Sequence, residues 1–287
     1  MIILENLIGM FSYGFMRQIL LIGTLGGVTC GVMGAMVVSM ELALVGMAIS
    51  HAAFLGSVIA FFVGINPLIG AIICSILASA AIGPVADKRE LSTDTVMGLI
   101  VAVAHGLAFL LMGMMVSAKT DALNLMWGNA LGVDMVALET VVISFILVIG
   151  VVIFFYKEVQ AIIFNREISL GIGLPAYWLF YGIIFLIGIT VAANLESIGG
   201  LLVSTLIICP AAAAYQLTYN LKHLFYMAGF FGGISCCFGI MLSYFIDVPC
   251  GAVIVLISSL IFFISNIFSP KRKVKRIKKL EEVSDVY

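Results

Sequence analysis

VALETVVISFILVIGVVIFFY, residues 136–156, holds one charged side chain, Glu139, in 21 positions. A helix of that length rises about 30 Å, the thickness of a bilayer's hydrocarbon core. The stretch shows no alternation of polar and apolar residues, so it does not read as a strand of an outer-membrane barrel. It reads as a helix that crosses a membrane. Eight further apolar maxima lie at 18–38, 42–63, 67–86, 95–117, 177–194, 197–214, 224–246 and 250–268. The expected fold class is all-α: a polytopic integral membrane bundle of eight or nine transmembrane helices, eight if one span is re-entrant. Residues 1–14 are apolar but short and contain Glu5, which suits an interfacial segment. The expected division is 1–14 interfacial, 15–269 transmembrane and 270–287 a basic tail. No basic region precedes the first apolar stretch, so no cleavable signal peptide is expected.

Composition excludes the other classes. Of the 287 residues 63% are hydrophobic and 10% charged, whereas a water-soluble domain carries about 45–50% and 25%. A soluble enzyme, a disordered chain and a secreted disulfide scaffold all fail that comparison. The six cysteines fall mostly within apolar stretches and form no C-x-x-C pair, which suits small apolar filler. Seven of the 14 basic residues lie between Lys271 and Lys279. No folded domain surrounds that run, so it suits anionic lipid headgroups better than nucleic acid.

The positive-inside rule orients the bundle. A cytoplasmic tail puts Asp247-Val248-Pro249 outside, 211–223 with Lys222 and His223 inside, and Asn194-Leu195-Glu196 outside. The loop with Lys157 and Arg166 is then inside, 118–135 outside and Asp87 to Glu90 inside. Every basic cluster falls on one side. The expected location is the inner or plasma membrane, multi-pass, with a cytoplasmic C-terminus.

Polar groups at membrane depth are costly, so each is a candidate for function. Met47 and His51 stand four apart and share one helical face beside Ser50. A thioether and an imidazole so placed can hold a transition metal; a histidine bonded to a neighbouring helix is the structural alternative. His105 lies deep in the fourth span. Glu139 lies four residues into the fifth, with Asp134 as its N-cap, and a water-filled vestibule would also suit it. Glu196 and Asp247, in short outer turns, would attract cations. Inside, the span ending at Pro210 is expected to break there. A mildly polar helix then follows, with Ala211, Ala212, Tyr215, Gln216, Thr218 and Lys222, fit to dock into a partner's groove. There is no P-loop, nucleophile elbow, H-E-x-x-H or intramembrane aspartate pair. No catalytic residue is expected, and ATP hydrolysis, if used, belongs to another chain.

Five segments in register resemble the membrane permease of metal-ion ABC importers, the family that takes up zinc, manganese or iron. Gly46 to Gly56, with Ser50-His51-Ala52, is similar to G-D-A-L-S-H-A-x-L-P-G. Leu91 to Gly98 resembles S-x-D-T-A-L-G, and Leu125-Met126-Trp127-Gly128-Asn129-Ala130-Leu131 resembles L-x-x-G-N-I-L. Ile198 to Thr218 resembles V-G-x-L-L-V-x-A-L-L-x-x-P-A-A-x-A-x-x-L-T, and Asp247 to Ala252 resembles D-x-P-S-G-x. The resemblance implies a homodimer with a pore between the copies, two cytoplasmic P-loop ATPase subunits beneath, and an extracellular metal-binding protein above. It implies a coupling helix after Pro210 and alternating access, with no permanent cofactor, the metal ion as cargo and ATP used by the partner. It places a metal site on the Asp and His of G-D-A-L-S-H. Here His51 matches and the Asp position is Met47. The proline of L-P-G is also replaced, and Met40-Glu41 stands where the family has a basic pair. Either the soft thioether permits softer ions, or Glu139 or His105 supplies what Met47 does not. The other readings are an ABC permease for a siderophore- or cobalamin-type chelate, and an ATP-independent carrier or channel.

Overall fold

The computed structural model describes residues 14–87, 92–115, 119–128, 135–246 and 248–271. All nine apolar maxima are helices: α1 (Gly14–Ser39), α2 (Ala43–Val63), α3 (Pro67–Asp87), α4 (Thr93–Met114), α6 (Met135–Phe154), α9 (Ala176–Ile198), α10 (Gly200–Leu217), α11 (Leu221–Ile246) and α12 (Cys250–Ile267). Eight are long and apolar enough to cross a membrane, and α3 is apolar over Pro67–Ile82. Three shorter helices join them: α5 (Lys119–Trp127), α7 (Tyr156–Phe164) and α8 (Arg166–Gly171). The chain is a multi-pass membrane protein. In lipid every backbone N–H and C=O must be paired within the protein, which helices achieve internally.

Local chemistry sets the helix ends. Gly64 closes α2 at φ +82°, returning its N–H to the carbonyls of Ala60 and Phe61. Ser92 caps α4 by accepting from the Thr95 N–H, and Asn165 caps α8 by accepting from the Ile168 N–H. Gly199, at φ 98° and ψ 143°, separates α9 from α10 in a conformation reserved for glycine.

Small residues decide the packing, because lipid offers helices no hydrophobic reward for associating. α1 is the central helix, packed against α11, α10, α6 and α9. Gly23, Gly27 and Gly31 form a stripe along its α11 face. A Cβ on Gly27 would strike the Gly232 carbonyl, and one on Gly31 the Ala228 carbonyl. On the α10 side, Gly34 lies against the Ile207 carbonyl. The hairpin of α2 and α3 repeats the device, with Gly56 and Gly70 each against the other's carbonyl. Across its turn the Ser57 hydroxyl donates to the Pro67 carbonyl at 3.1 Å.

Several sequence expectations are corrected. α10 runs through Pro210 to Leu217 without a break, so residues 211–217 are the last turns of a span and not a separate helix. Asn194, Leu195 and Glu196 belong to the end of α9, not to an outer turn, and Asn194 is fully buried. The loop with Lys157 and Arg166 contains two short helices. Residues 118–135 also contain one, whose end at Gly128 packs against the Ile198 carbonyl at the α9–α10 break. Residues 1–13, Lys88-Arg89-Glu90, Asn129-Ala130-Leu131, Asp134, Asp247 and the tail beyond Lys271 lie outside the described residues.

Candidate metal site and membrane-face groove

His51 faces α4 from α2, and His105 faces α2 from α4. Their ring centroids are 4.0 Å apart, tilted by 44°. Phe109, one turn after His105, stacks on that ring at 5.8 Å and 9°. His51 is 2% exposed. Counting along the helices at 1.5 Å per residue, His51 stands about 12 Å past the start of α2 and His105 about 18 Å past the start of α4. Both therefore lie near the middle of a 30 Å core. Neither imidazole has a hydrogen-bond partner among the described residues. A histidine retained only for structure would be expected to have one.

Met47 is one turn before His51 on α2 and half-buried. Ser50 is buried, but its hydroxyl donates to the Gly46 carbonyl at 2.8 Å, so its proton is already spent within the helix. Glu139 is exposed on α6. That helix packs against α1 and α9, away from the histidine pair. Glu196 also stands elsewhere, at the end of α9. The structure thus joins two of the sequence candidates, leaves Met47 one turn from His51 on α2 and separates Glu139 from them. Among the described residues no group of three or more His, Cys, Asp or Glu is placed to hold a metal. One chain offers two imidazole nitrogens and a thioether. Two imidazoles bound to one ion sit about 5 Å apart, centre to centre, if each nitrogen is about 2 Å from it. The observed 4.0 Å is about 1 Å short of that spacing, so the rings would have to part to hold an ion between them.

A second feature lies at one end of the bundle. There a cavity of about 570 Å³ is walled by Gln160 and Phe164 of α7, by Tyr215, Thr218 and Tyr219 at the α10–α11 turn, and by Lys271. Phe164 is 83% exposed and Tyr219 70%. Pro210 and Ala211 are buried and Ala212 half-buried, so the surface part of the expected docking helix starts at Tyr215. Gln216 accepts the Ser269 hydroxyl on its backbone carbonyl at 2.8 Å and on Oε1 at 3.1 Å. Lys271 Nζ lies 3.4 Å from the Tyr215 ring centre and 4.9 Å from that of Tyr219. Partial burial there lowers the Lys271 ammonium from its ordinary pKa. Arg166 is clamped over Tyr177 and Phe180 at 4.5 and 4.3 Å, which fixes α8 to α9. Sequence reasoning missed α7 and α8. Their signals were the cap at Asn165 and the apolar set Val159 and Ile162 beside Lys157, Glu158 and Gln160.

The sequence pattern of the ABC 3 transport family matches residues 12–269. The chain belongs to this family. It is a membrane subunit of an ATP-binding-cassette transporter and not itself an enzyme. The manganese transport system membrane protein MntC of Listeria innocua is 33% identical over 275 residues, covering 96% of this chain and 98% of that one. The chelated iron transport system membrane protein YfeD of Yersinia pestis is 28% identical over 265 residues, covering 92% and 89%. PsaBC from Streptococcus pneumoniae, solved in complex with Fab, superposes with a TM-score of 0.85 at 26% identity, over 96% of this chain and 99% of that one.

Proposed function

We propose that the chain is the permease of an ATP-driven importer whose cargo, a transition-metal ion, passes between His51 and His105. The observation that carries the reading is the contact of two imidazoles, without hydrogen-bond partners among the described residues, near the middle of the bilayer. Family membership and the metal-transport names of relatives such as MntC and YfeD support it. Two nitrogens and a thioether are few ligands, which suits a site that must release what it binds. A second copy of the chain, meeting the first along the α2–α4 side, would complete the coordination and make the pore. An extracellular binding protein would deliver the ion. Alternating access would expose the pair first to one side and then to the other.

The cytoplasmic face is the end that carries Lys157, Arg166, Lys222 and Lys271, in keeping with the positive-inside rule. On that face we assign ATPase docking to α7, α8 and the α10–α11 turn together. The aromatic groove between them replaces the separate helix expected after Pro210. Phe164→Asp with Tyr219→Asp would leave the isolated permease folded, since both side chains are largely exposed. The pair of changes should abolish co-purification of the ATPase subunits; intact co-purification would move the docking site elsewhere.

The experiment for the function as a whole is ATP-dependent uptake in proteoliposomes containing the permease, its ATPase and its binding protein. Zn, Mn, Fe, Co, Ni and Cu(I) would be offered and the accumulated metal counted by elemental mass spectrometry. Imidazole and thioether suit Zn, Co, Ni or Cu better than Mn, which prefers carboxylate. Met47→Asp should shift the Mn-to-Zn uptake ratio toward Mn by on the order of tenfold. An unchanged ratio would separate Met47 from the ion path. No accumulation of any ion, in a complex that still hydrolyses ATP, would favour a chelate as cargo.

A further inference from the structure

We infer that a groove among α1, α6 and α11, distinct from the histidine pair, binds one anionic phospholipid at the cytoplasmic side of the bilayer. The groove encloses about 660 Å³, within the 300–1,000 Å³ typical of ligand sites. Its walls are apolar: Val28 and Val32 of α1, Ile149 and Ile153 of α6, and Phe225 and Phe230 of α11. Its mouth is not. Lys157, Lys222 and Glu158 stand there, two ammoniums and one carboxylate, leaving one positive charge unanswered. None of the three has an ion-pair partner among the described residues. Among the described residues the Lys222 side chain makes a cation–π contact, its Nζ 5.4 Å from the Tyr156 ring centre.

The α11 face of the groove follows helical spacing, with Lys222, Phe225, Tyr226 and Gly229 at i, i+3, i+4 and i+7. Gly229 lets α11 approach α1 closely at the inner end of the groove, where a Cβ would meet Val32 at 3.0 Å. From Lys222 to Phe230 the groove runs about 12 Å along the helix, from the polar face into the bilayer. An apolar channel with that direction, and one net positive charge at its outer end, matches an acyl chain below a single phosphodiester. A basic pocket between transmembrane helices on the cytoplasmic side has this chemistry. The histidine pair is on α2 and α4, and α4 packs chiefly against α2, so the groove and the metal path lie on different sides of the bundle. A lipid seated there would bridge the α6–α7 elbow and the start of α11, two of the segments that flank the ATPase docking face.

The test is native mass spectrometry of the full chain in detergent, titrated separately with phosphatidylglycerol and with phosphatidylcholine of the same acyl chains. Phosphatidylglycerol should half-saturate one site at a concentration at least fivefold below phosphatidylcholine. Lys157→Ala with Lys222→Ala should remove that preference. The basic tail also attracts anionic headgroups, so a filled groove is the deciding variant. Ile153→Trp keeps every charge, and should still lower phosphatidylglycerol occupancy severalfold. Inorganic phosphate at millimolar concentration should leave the bound lipid in place. Equal affinity for the two lipids, a preference that survives loss of both lysines, full occupancy in Ile153→Trp, or displacement by phosphate would each overturn the assignment.

Discussion

Replacing His51 by alanine should reduce ATP-dependent metal uptake to the level of empty liposomes while leaving the permease folded and the ATPase bound. The imidazole is half of the His51–His105 pair, so on the proposed reading its loss removes a ligand and not merely a modifier. Outer-sphere changes around a bound metal already cost 10–100-fold; loss of a direct ligand costs at least as much. His105→Ala should do the same, because each ring is the other's contact at 4.0 Å. The double variant is the sharper result. If both rings hold one ion, the second substitution adds little to the first, since either alone has destroyed the site. Two independent structural histidines would instead give additive losses of stability and spare uptake. Ser50→Ala is the matched control: its hydroxyl is engaged with the Gly46 carbonyl, so uptake should hold. Normal transport by His51→Ala would remove the pair from the ion path.

Substituting Gly34 by leucine should prevent the bundle from assembling. The obstacle is backbone, because a Cβ at this position meets the Ile207 carbonyl oxygen, with the Ile207 carbonyl carbon at 2.8 Å and the Ala211 Cβ at 2.9 Å. A flexible side chain would move aside; a helix backbone held by its own hydrogen bonds does not. Ordinary overpacking costs about 1–3 kcal/mol, and separating α1 from α10 adds the lost contacts of both helices. The expected outcome is aggregation on size-exclusion chromatography, with Gly34→Ala intermediate in thermal melting. Gly150→Ala is the contrast. A Cβ there meets nothing within 4 Å. The change should be neutral or should stabilise by up to about 1 kcal/mol through helix propensity. Similar behaviour of Gly34→Leu and Gly150→Ala would show that close approach does not hold α1 in place.

The helices were legible because the bilayer imposes a length and a polarity that no other environment demands. Residues 136–156 could be read from one apolar stretch that holds a single charge. Pro210 was misread for the same reason in reverse. In water a proline inside a helix usually ends it, but within a membrane bundle neighbouring helices supply the packing that keeps it running. His51 and His105 could each be singled out by depth. Their meeting could not, because 54 positions separate them and the contact depends on how α4 lies on α2. Glu139 shows the limit of the depth argument: depth says that a charge is costly, while the face of the helix decides whom it serves. α7 and α8 escaped notice because each is too short to show a sustained period.

The hairpin of α2 and α3 bears on how the protein is made. With Gly56 and Gly70 backbone to backbone and the Ser57–Pro67 bond across the turn, these two helices can pack on one another without a later helix between them. The translocon would then release them sideways into lipid as a pair, and the rest of the bundle would be added around a unit already formed.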